Sequence, residues 1–319
     1  MAGEILQEVG KKRGNHMTLQ QLKYAILVAE SKSMSEAARK SFISQPAFSQ
    51  AIQELEEEIG TEIFRRTNRG IKVTPEGEEF IGYARMVTGQ YDLLESRYIR
   101  KEKLKKRFSV SMQHYTFAVQ AFVNMVKTFG MDKYEFAIYE TKTYDVIQDV
   151  KNFRSEIGVL FRNEFNRKHL EKLFRDYELE FRELLKCPVY VYLWKGHPLA
   201  RRERLTMGEL DEFPCLAFSQ GSQGSLFLSE EVMSSYDYKQ LIKVADRATM
   251  LNLMKGLNGY TLCSGIICEE LNGSEYCAVR LEAEEYMTIG YLKRKDVPLS
   301  QMGKIYIEEI KKYQGKELK

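Results

Sequence analysis

The chain has 319 residues and a formal net charge of +3, with 44% hydrophobic and 29% charged residues. That length exceeds one typical core and predicts two or three domains, while no apolar run approaches the roughly 20 residues that a membrane span requires. Residues 1–16 also lack the apolar core of a secretory signal, so we expect a cytoplasmic protein with a disordered tail ahead of Met17.

Residues 17–75 have the pattern of a helical DNA-binding head. Apolar residues at helical spacing predict a first helix from Thr18 to Ser31, and a small-residue helix follows at residues 36–42, before a tight turn at Ile43 and Ser44. The apolar stripe of the next helix is formed by Phe48, Ile52, Leu55 and Ile59. The other face is therefore exposed, and its candidate DNA contacts are Ser44, Gln45, Pro46, Ser49, Gln50 and Gln53.

The residue types at the start of this helix suit contact with DNA. Ser44 is a good N-cap, and Pro46 lies in the first turn, where its missing N–H costs nothing. A helix N-terminus offers free N–H groups to a phosphate, and glutamines can bond adenine edges in the major groove. A merely solvated polar face is the alternative, but the adjacent tight turn and basic segment favour DNA binding.

A basic hairpin, or wing, follows this helix. Residues 63–66 and 71–74 predict two short strands around a turn at residues 67–70, where Asn and Gly permit positive φ. We expect Phe64 and Val73 to anchor the wing on the helices. The cations of the wing are Arg65, Arg66, Arg69 and Lys72. They are then free for phosphates or the minor groove, a contact that positions the protein without reading the sequence.

The motifs of this head resemble those of the LysR-type transcriptional regulators. The matching residues are Ala37-Ala38, the SQPAFS run at 44–49, Leu55-Glu56, Ile59-Gly60, the IFRR run at 63–66 and the TPEG run at 74–77. The match is long and specific, with one departure, since Gln50 stands where the family usually has Arg. The resemblance implies a winged helix-turn-helix on double-stranded operator DNA, and Gln50 leaves the operator preference open.

A long helix is predicted from Thr74 and Pro75 to about Lys103. Its apolar residues Phe80, Ala84, Val87, Tyr91, Leu94 and Tyr98 follow a 4-3-4-3-4 spacing, which is typical of a paired seam. A helix packed only on its own domain is the alternative. The resemblance implies that this helix, at residues 76–104, dimerises the protein and presents two heads to half-sites about one helical turn, roughly 34–36 Å, apart.

From Phe108 the pattern alternates between strands and helices. The strand runs lie at residues 108–112, 134–140, 156–161, 188–194, 214–218, 241–246, 260–264 and 286–294, with helices near 117–129 and 144–152. This order predicts βαβ units with a parallel sheet, in two half-sets that cross near residues 186–194, with the last run in the second set. The resemblance implies an α/β effector domain at residues 105–319, two-lobed like periplasmic solute-binding proteins.

Residues that follow these strands are candidate effector ligands, because ligands bind at C-terminal strand ends near helix N-termini. The candidates are His114, Tyr115, Thr116, Thr143, Phe218, Ser219, Gln220, Arg247 and Thr249. Thr143 matches a position where the family commonly places a threonine that bonds its effector. Ordinary helix caps or loop residues are the alternative, and the bulk of His114 and Tyr115 predicts a small or shifted pocket.

The cysteines and histidines show no spacing typical of a metal site or a thioredoxin-like site. Five reduced, mostly buried thiols are expected, and a redox-sensing pair drawn from Cys263, Cys268 and Cys277 is the alternative. No P-loop or GxSxG motif is present. We therefore expect no metal, no cofactor and no catalytic site.

The whole pattern favours a LysR-type transcription factor, a homodimer or homotetramer whose operator binding is modulated by a small-molecule effector. RNA polymerase is a candidate further partner. Two alternatives remain, a thiol-based redox-sensing regulator and a ligand-independent architectural DNA binder.

Overall fold

The computed structural model describes residues 17–31, 33–67, 70–99, 106–129, 133–221 and 225–315. Its contacts divide the chain into two compact units, one ending at Leu104 and the other beginning at Lys105. The tail predicted at residues 1–16 lies outside the described residues. Within them, no helix combines the length and the apolar character needed to cross a membrane.

Three helices form the body of the first unit: α1 (Leu19–Glu30), α2 (Met34–Lys40) and α3 (Gln45–Ile59). Thr18 caps α1 in a capping box with Gln21, and the Ser33 side chain accepts the Glu36 N–H to cap α2. The core between the helices includes Ala25, Val28, Ala37, Ala38, Phe48, Ile52 and Leu55. The two small alanines let α2 lie close to its neighbours, as the sequence predicts.

The wing consists of β1 (Phe64–Thr67) and β2 (Gly70–Val73), paired antiparallel with Phe64 opposite Val73. The Glu56 carboxylate of α3 accepts the N–H groups of Ile63 and Phe64 at 2.7 and 2.9 Å, and so fixes where the wing begins. A Cβ on Gly77 would lie 2.2 Å from the Ile63 carbonyl oxygen. Glycine is therefore required where the next helix passes the wing.

That next helix, α4 (Pro75–Leu94), continues as a π-helical turn at Glu95–Ile99. Thr74 caps it by accepting the Gly77 N–H at 2.9 Å. Along the predicted seam Ala84 is 2% exposed, whereas Tyr98 is 67% exposed, and Val87, Tyr91 and Leu94 are also exposed. The first half of the seam is thus packed within its own unit and the second half is open. The predicted end near Lys103 lies outside the described residues.

The second unit contains two lobes. The first lobe, lobe 1, holds β3 (Lys106–Met112), α5 (Thr116–Lys127), β4 (Tyr134–Glu140), α6 (Thr143–Lys151), β5 (Ile157–Arg162), α7 (Glu164–Asp176), β6 (Leu179–Pro188), β13 (Tyr286–Arg294) and α11 (Gln301–Lys311). Its sheet has the order β4-β3-β5-β13-β6. Strand β3 runs parallel to β4 and β5, and β13 runs antiparallel to β5 and β6.

Lobe 2 is formed by residues 189–281. The chain enters it after β6 and returns from it to lobe 1 before β13. It holds β7 (Tyr190–Trp194), β8 (Arg204–Leu205), α8 (Met207–Leu210), β9 (Cys215–Phe218), β10 (Leu241–Val244), α9 (Arg247–Leu257), β11 (Thr261–Cys263), α10 (Glu269–Asn272) and β12 (Tyr276–Leu281). One sheet has the order β11-β7-β12-β8, and β9 pairs in parallel with β10.

The two-lobed α/β architecture agrees with the sequence, but two details of the expected strand arrangement are wrong. The run at 286–294 lies in the sheet of lobe 1, and that sheet is mixed rather than parallel. The run at 188–194 is also divided, because Pro188 ends β6 and β7 begins at Tyr190 in the other lobe. The sequence pattern of a strand predicts that the strand is buried. It does not predict which sheet the strand joins, because that depends on where the chain passes from one lobe to the other.

Candidate DNA-binding and effector-binding sites

The N-terminal turn of α3 presents a polar face anchored by a buried one. Phe48 is fully buried and lies 4.8 Å from Tyr24, ring centre to ring centre. On the other face Ser44, Gln45 and Pro46 are exposed. Ser44 occupies the N-cap position, but its side chain makes no capping hydrogen bond, contrary to the role expected from the sequence.

The glutamines of this face form only local hydrogen bonds. The Gln45 amide donates to the Ser49 hydroxyl at 3.1 Å, and the Gln50 and Gln53 amides donate to Glu54 and Glu57, both at 2.9 Å. The Gln45, Gln50 and Gln53 side chains are exposed, and Ser49 is half-buried. Bonds of this kind exchange readily with water or a base edge, because both partners are already solvated.

The wing places two of the predicted cations together. Arg65 and Lys72 are directly opposite in the strand register and both are exposed. Arg65 also forms an ion pair with Glu62 at 3.0 Å. Like charges in facing positions repel each other, so a phosphate between them would relieve that repulsion. The side chain of Arg66 and the whole of Arg69 lie outside the described residues.

The turn before α3 contains a feature that the sequence analysis did not single out. Phe42 is 94% exposed and has a φ of 56°. The left-handed region is costly for a residue with a Cβ, and exposure removes any compensating burial. Its neighbour Ile43 is half-buried against the core. Because both residues are apolar, the sequence does not predict which of the two side chains is exposed.

A cavity of about 80 Å³ lies between the two lobes of the second unit. Five of the predicted effector residues line it, namely His114, Tyr115, Thr116, Phe218 and Arg247. Its lining also includes residues that the sequence analysis missed, among them Tyr192, Glu230, Glu231, Thr261, Cys263, Ser264 and Asn272. In the sequence, the adjacent acids at 230 and 231 are only a pair of charges in a segment without a clear strand or helix pattern.

Arg247 joins the lobes at one side of the cavity. It lies at the start of α9 in lobe 2, capped by Asp246. One terminal nitrogen donates to the Thr116 hydroxyl at 2.6 Å, and the other forms an ion pair with Glu140, both in lobe 1. Asn272 of lobe 2 adds a bond to the same Thr116 hydroxyl at 3.0 Å. The hydroxyl is therefore held from two directions.

His114 and Glu230 join the lobes at the other side. The His114 Nδ1 lies 2.7 Å from the Glu230 carboxyl group, and the His114 backbone N–H donates to the same oxygen at 3.2 Å. The imidazole stacks on Phe218 with ring centres 3.6 Å apart and planes 5° apart. The side chains of His114 and Glu230 are almost completely buried, at 8% and 4% exposure.

The remaining predicted effector residues lie outside the cavity lining. Thr143 is 1% exposed, accepts a bond from Gln113 at 2.6 Å and donates its N–H to Gln220 at 3.1 Å. Gln220 in turn donates to Glu230 at 2.9 Å. Ser219 accepts the Gly221 N–H, and Thr249 bonds Asp246. The Thr143 position is thus occupied by the side chains of the protein itself, and the cavity is displaced from it.

Burial controls protonation beside the cavity. The Glu231 pKa is raised to about 8, first by desolvation and then by the neighbouring charge of Glu230, although its carboxylate accepts the Phe218 N–H at 2.7 Å. Burial also raises the pKa of the Tyr115 phenol well above its usual range. Glu231 is therefore mostly neutral at pH 7.

The thiols do not have the properties of a redox pair. None of the five cysteines, all within the described residues, forms a disulfide, and burial raises the pKa of Cys263 to about 12 and also raises that of Cys277, whereas reactive cysteines have lowered values. In the strand register, Cys263 lies opposite Tyr190 of β7, and Cys277 lies opposite Leu193 of the same strand. Positions 190 and 193 of a strand point to opposite faces of the sheet, so the two thiols do as well. Cys268 is buried. The redox alternative is not favoured.

Among the described residues, no group of three or more His, Cys, Asp or Glu side chains is arranged to hold a metal ion.

Two family models match the chain, and they match its two units. The bacterial regulatory helix-turn-helix model of the lysR family matches residues 19–78. The LysR substrate binding domain model matches residues 115–314.

Individual relatives agree with these matches. YbhD of Escherichia coli, an uncharacterised HTH-type transcriptional regulator, is 25% identical over 289 residues, which cover 88% of this chain and 87% of YbhD. YkuM of Bacillus subtilis, another uncharacterised regulator of this type, is 46% identical over 72 residues, 23% of this chain and 25% of YkuM. A full-length OxyR variant from Pseudomonas aeruginosa has 17% identity and a TM-score of 0.63, covering 93% of this chain and 95% of its own, and so shares the fold.

Proposed function

The chain belongs to the LysR family of bacterial transcriptional regulators, and on that basis we propose that it binds an operator through α3 and the wing, under the control of a small molecule in the interlobe cavity. The contacts proposed for DNA are Ser44, Gln45, Pro46, Ser49, Gln50, Gln53, Arg65, Arg66, Arg69 and Lys72. The effector contacts proposed are those predicted residues that line the cavity, with Glu230 and Glu231 added. We propose no catalytic step and no cofactor.

The exposed polar face of α3 is the observation that carries the DNA-binding proposal. Gln45 and Ser49 lie one helical turn apart on a helix whose other face is fixed in the core by Phe48 and Ile52. A rigid helix with an exposed N-terminal turn suits the major groove, where the side-chain amide of glutamine can donate to adenine N7 through its NH2 and accept from adenine N6 through its oxygen. The cations of the wing suit the flanking phosphates.

We also propose that three regions of the chain have separate functions: DNA binding at residues 17–75, self-association at 76–104 and effector binding at 105–319. The open second half of the α4 seam supports a homodimer or homotetramer, because the exposed Val87 and Leu94 offer apolar surface to a second helix. RNA polymerase remains a proposed further partner. A ligand can alter operator binding only if it prefers one arrangement of the protein over another.

Operator binding by the full-length protein tests the first part. A duplex enriched by the wild-type protein from a randomised pool serves as the probe in a gel shift at fixed salt. We expect Gln45→Ala to weaken binding about tenfold or more, the cost of one lost bidentate base contact. Gln20→Ala, which removes an exposed glutamine of α1, is the matched control and should bind as the wild type does. Equal binding by both variants would reject the assignment of α3.

A screen of small metabolites by thermal shift tests the second part. We expect a compound that stabilises the wild type to lose its effect in Ser264→Leu, which fills the cavity from a buried lining position. Ser235→Leu, at an exposed position of the same lobe, is the control and should retain the effect. A compound that stabilises the Ser264→Leu variant as strongly as the wild type binds elsewhere and contradicts the assignment of the cavity.

A further inference from the structure

The charges around the interlobe cavity point to the chemical class of its ligand. We propose that the cavity binds a small organic ammonium ion, held beside the paired carboxyl groups of Glu230 and Glu231. The inference rests on the proposed function of the cavity as the effector site, and it names the kind of molecule that the site selects.

Two acidic side chains contribute to the cavity lining and both are deeply buried. Glu230 and Glu231 are each 7% exposed. The Glu230 carboxylate accepts bonds from His114 and Gln220, and the Glu231 carboxylate accepts the Phe218 N–H. Of these donors only His114 can carry a positive charge, so the two acids share at most one cation of the protein. A cationic ligand would supply a second positive charge.

The one guanidinium in the lining is already balanced. Arg247 donates to Thr116 and forms an ion pair with Glu140, so both of its terminal nitrogens have protein acceptors. With Arg247 and Glu140 paired, the carboxyl and basic groups that remain in the lining are two acids and one imidazole, so the acids outnumber the bases. A carboxylate ligand would have to displace Glu140 from Arg247 and lie beside the two buried carboxyl groups, which is unfavourable in a poorly solvated site.

The walls and the size also fit a compact ammonium ion. Tyr115, Tyr192 and Phe218 contribute aromatic surface beside the acids, and aromatic rings with nearby carboxylates are the usual surroundings of bound ammonium groups. The cavity volume of about 80 Å³ is roughly half of the 150 Å³ of an engineered cavity that admits benzene. A ligand of only a few heavy atoms therefore fits without any separation of the lobes.

Binding of such a cation should release a proton. Glu231 has a pKa of about 8 and holds its proton at pH 7, and an ammonium group beside it favours the ionised form. The other groups near Glu231 that could titrate are Cys215, Cys263, Tyr115, Tyr192 and Tyr238. Each has a pKa raised mainly by burial and stays neutral at pH 7. Glu230, His114 and Arg247 complete the ionisable surroundings, and among the groups with a raised pKa only Glu231 has a value close to neutral pH.

Three probes of similar size separate the charge classes: propylammonium, 1-propanol and propionate. They are titrated into the full-length protein by calorimetry at millimolar concentration, the range suited to ligands of few atoms. We expect propylammonium to bind at least about tenfold more tightly than either other probe, the effect of one charge-assisted hydrogen bond. Titration in two buffers of different ionisation enthalpy should show close to one proton released per ammonium bound at pH 7, and affinity should rise between pH 6 and pH 8.

The variants Glu231→Gln and Glu308→Gln make the result specific. Glutamine has the shape of the neutral acid and can still accept the Phe218 N–H, so Glu231→Gln is expected to fold, to lose the proton release and to bind propylammonium about tenfold more weakly. Glu308→Gln removes the same charge from an exposed position of α11 and should behave as the wild type. Equal affinities for the three probes, unchanged binding in Glu231→Gln, or no binding of propylammonium would each overturn the ammonium class.

Failure of this inference and failure of the proposed function give different results. If propionate or 1-propanol binds the wild type and is excluded by Ser264→Leu, the cavity remains an effector site and only the ammonium class is wrong. If metabolites that alter operator binding still act on Ser264→Leu, the cavity itself is not the effector site.

Discussion

The head and the effector unit both use glutamine side chains, but with opposite exposure. The glutamines of α3 are exposed and bonded only to neighbours one turn away. In the effector unit Gln113 is 1% exposed and bonds Thr143 and the Phe161 N–H in two distant segments, as well as the nearby Tyr115. One set of amides can therefore bind a partner as it stands, whereas the other is part of the protein's own framework.

This difference separates two ways of binding. In the proposed complex, DNA needs only to replace water on a rigid surface, so affinity would be set by the fit of α3 and by phosphate contacts. A ligand in the cavity has to compete with bonds that already join the lobes, such as Arg247 to Glu140 and His114 to Glu230. Exchange of those bonds gives a ligand the means to favour one lobe arrangement over another, which regulation requires.

The largest expected effect concerns the buried glutamine. Gln113→Ala should lower the free energy of unfolding of the second unit by about 3 kcal/mol, because several buried partners lose a hydrogen bond together. Urea unfolding followed by the fluorescence of Trp194, the single tryptophan of the chain, reports on this unit. The exposed Gln20→Ala should change stability by less than about 0.5 kcal/mol. If both variants changed the free energy of unfolding by less than about 0.5 kcal/mol, Gln113 would contribute no more to stability than an exposed glutamine, which contradicts this prediction.

A second expected effect is the dependence of stability on pH. The folded protein keeps the Glu231 proton up to about pH 8, whereas the unfolded chain loses it near 4.5. The folded state therefore binds more protons between these values, and stability falls as pH rises, by up to about 1.4 kcal/mol per pH unit. As pH rises from 6 to 7.5, the free energy of unfolding of the wild type should therefore fall by about 2 kcal/mol relative to that of Glu231→Gln. Parallel urea curves for the two proteins at both pH values would contradict the raised pKa.

The link between the lobes is a third way to test the comparison. In a double-mutant cycle, Arg247→Met and Glu140→Gln should show a coupling energy of about 1 kcal/mol, the upper range for a partly exposed ion pair. Trp194 fluorescence again follows unfolding. The coupling should shrink in high salt. Lys255→Met with Glu275→Gln, an exposed pair within lobe 2, is the control and should couple more weakly.

The smallest expected effect lies in the turn before α3. Phe42→Gly should stabilise the head by about 0.5 kcal/mol, because relief of the left-handed backbone, roughly 1–2 kcal/mol, exceeds the extra chain entropy of glycine, roughly 0.5–1 kcal/mol. Hydrogen exchange of the α1 and α3 amides measures this change. Phe42→Ala keeps a Cβ in the same conformation and should not stabilise. A destabilised Phe42→Gly head would show that the exposed ring is held by contacts within the protein.

Much of the head followed from the sequence because its signals are local. The spacing of Phe48, Ile52 and Leu55 selects the buried face of α3, and that choice exposes Gln45 and Gln53 on the other. Thr74 also caps α4 as predicted. The capping bond expected of Ser44 is absent, since an N-cap residue type permits such a bond without requiring it.

The lining of the interlobe cavity, the proposed effector site, was predicted less completely, since its residues come from distant segments. Strand ends correctly indicated His114, Thr116 and Arg247 as neighbours of a cavity, because chain order fixes which edge of a sheet a strand end occupies. Nothing local distinguished Glu230 and Glu231 from surface acids. Their burial depends on a segment of lobe 2 that returns to lobe 1, where Leu228 packs into the core of that lobe.

The sequence by itself therefore determined the family, the order of elements and the exposed face of α3, because helix periodicity and caps act over a few residues. The tertiary structure decided that β13 returns to the sheet of lobe 1, that Thr143 is bonded to Gln113 and Gln220, and that two acids face one cavity. Each of these depends on contacts between residues far apart in the chain. Such contacts are set by how the chain crosses between lobes, and no local pattern encodes that path.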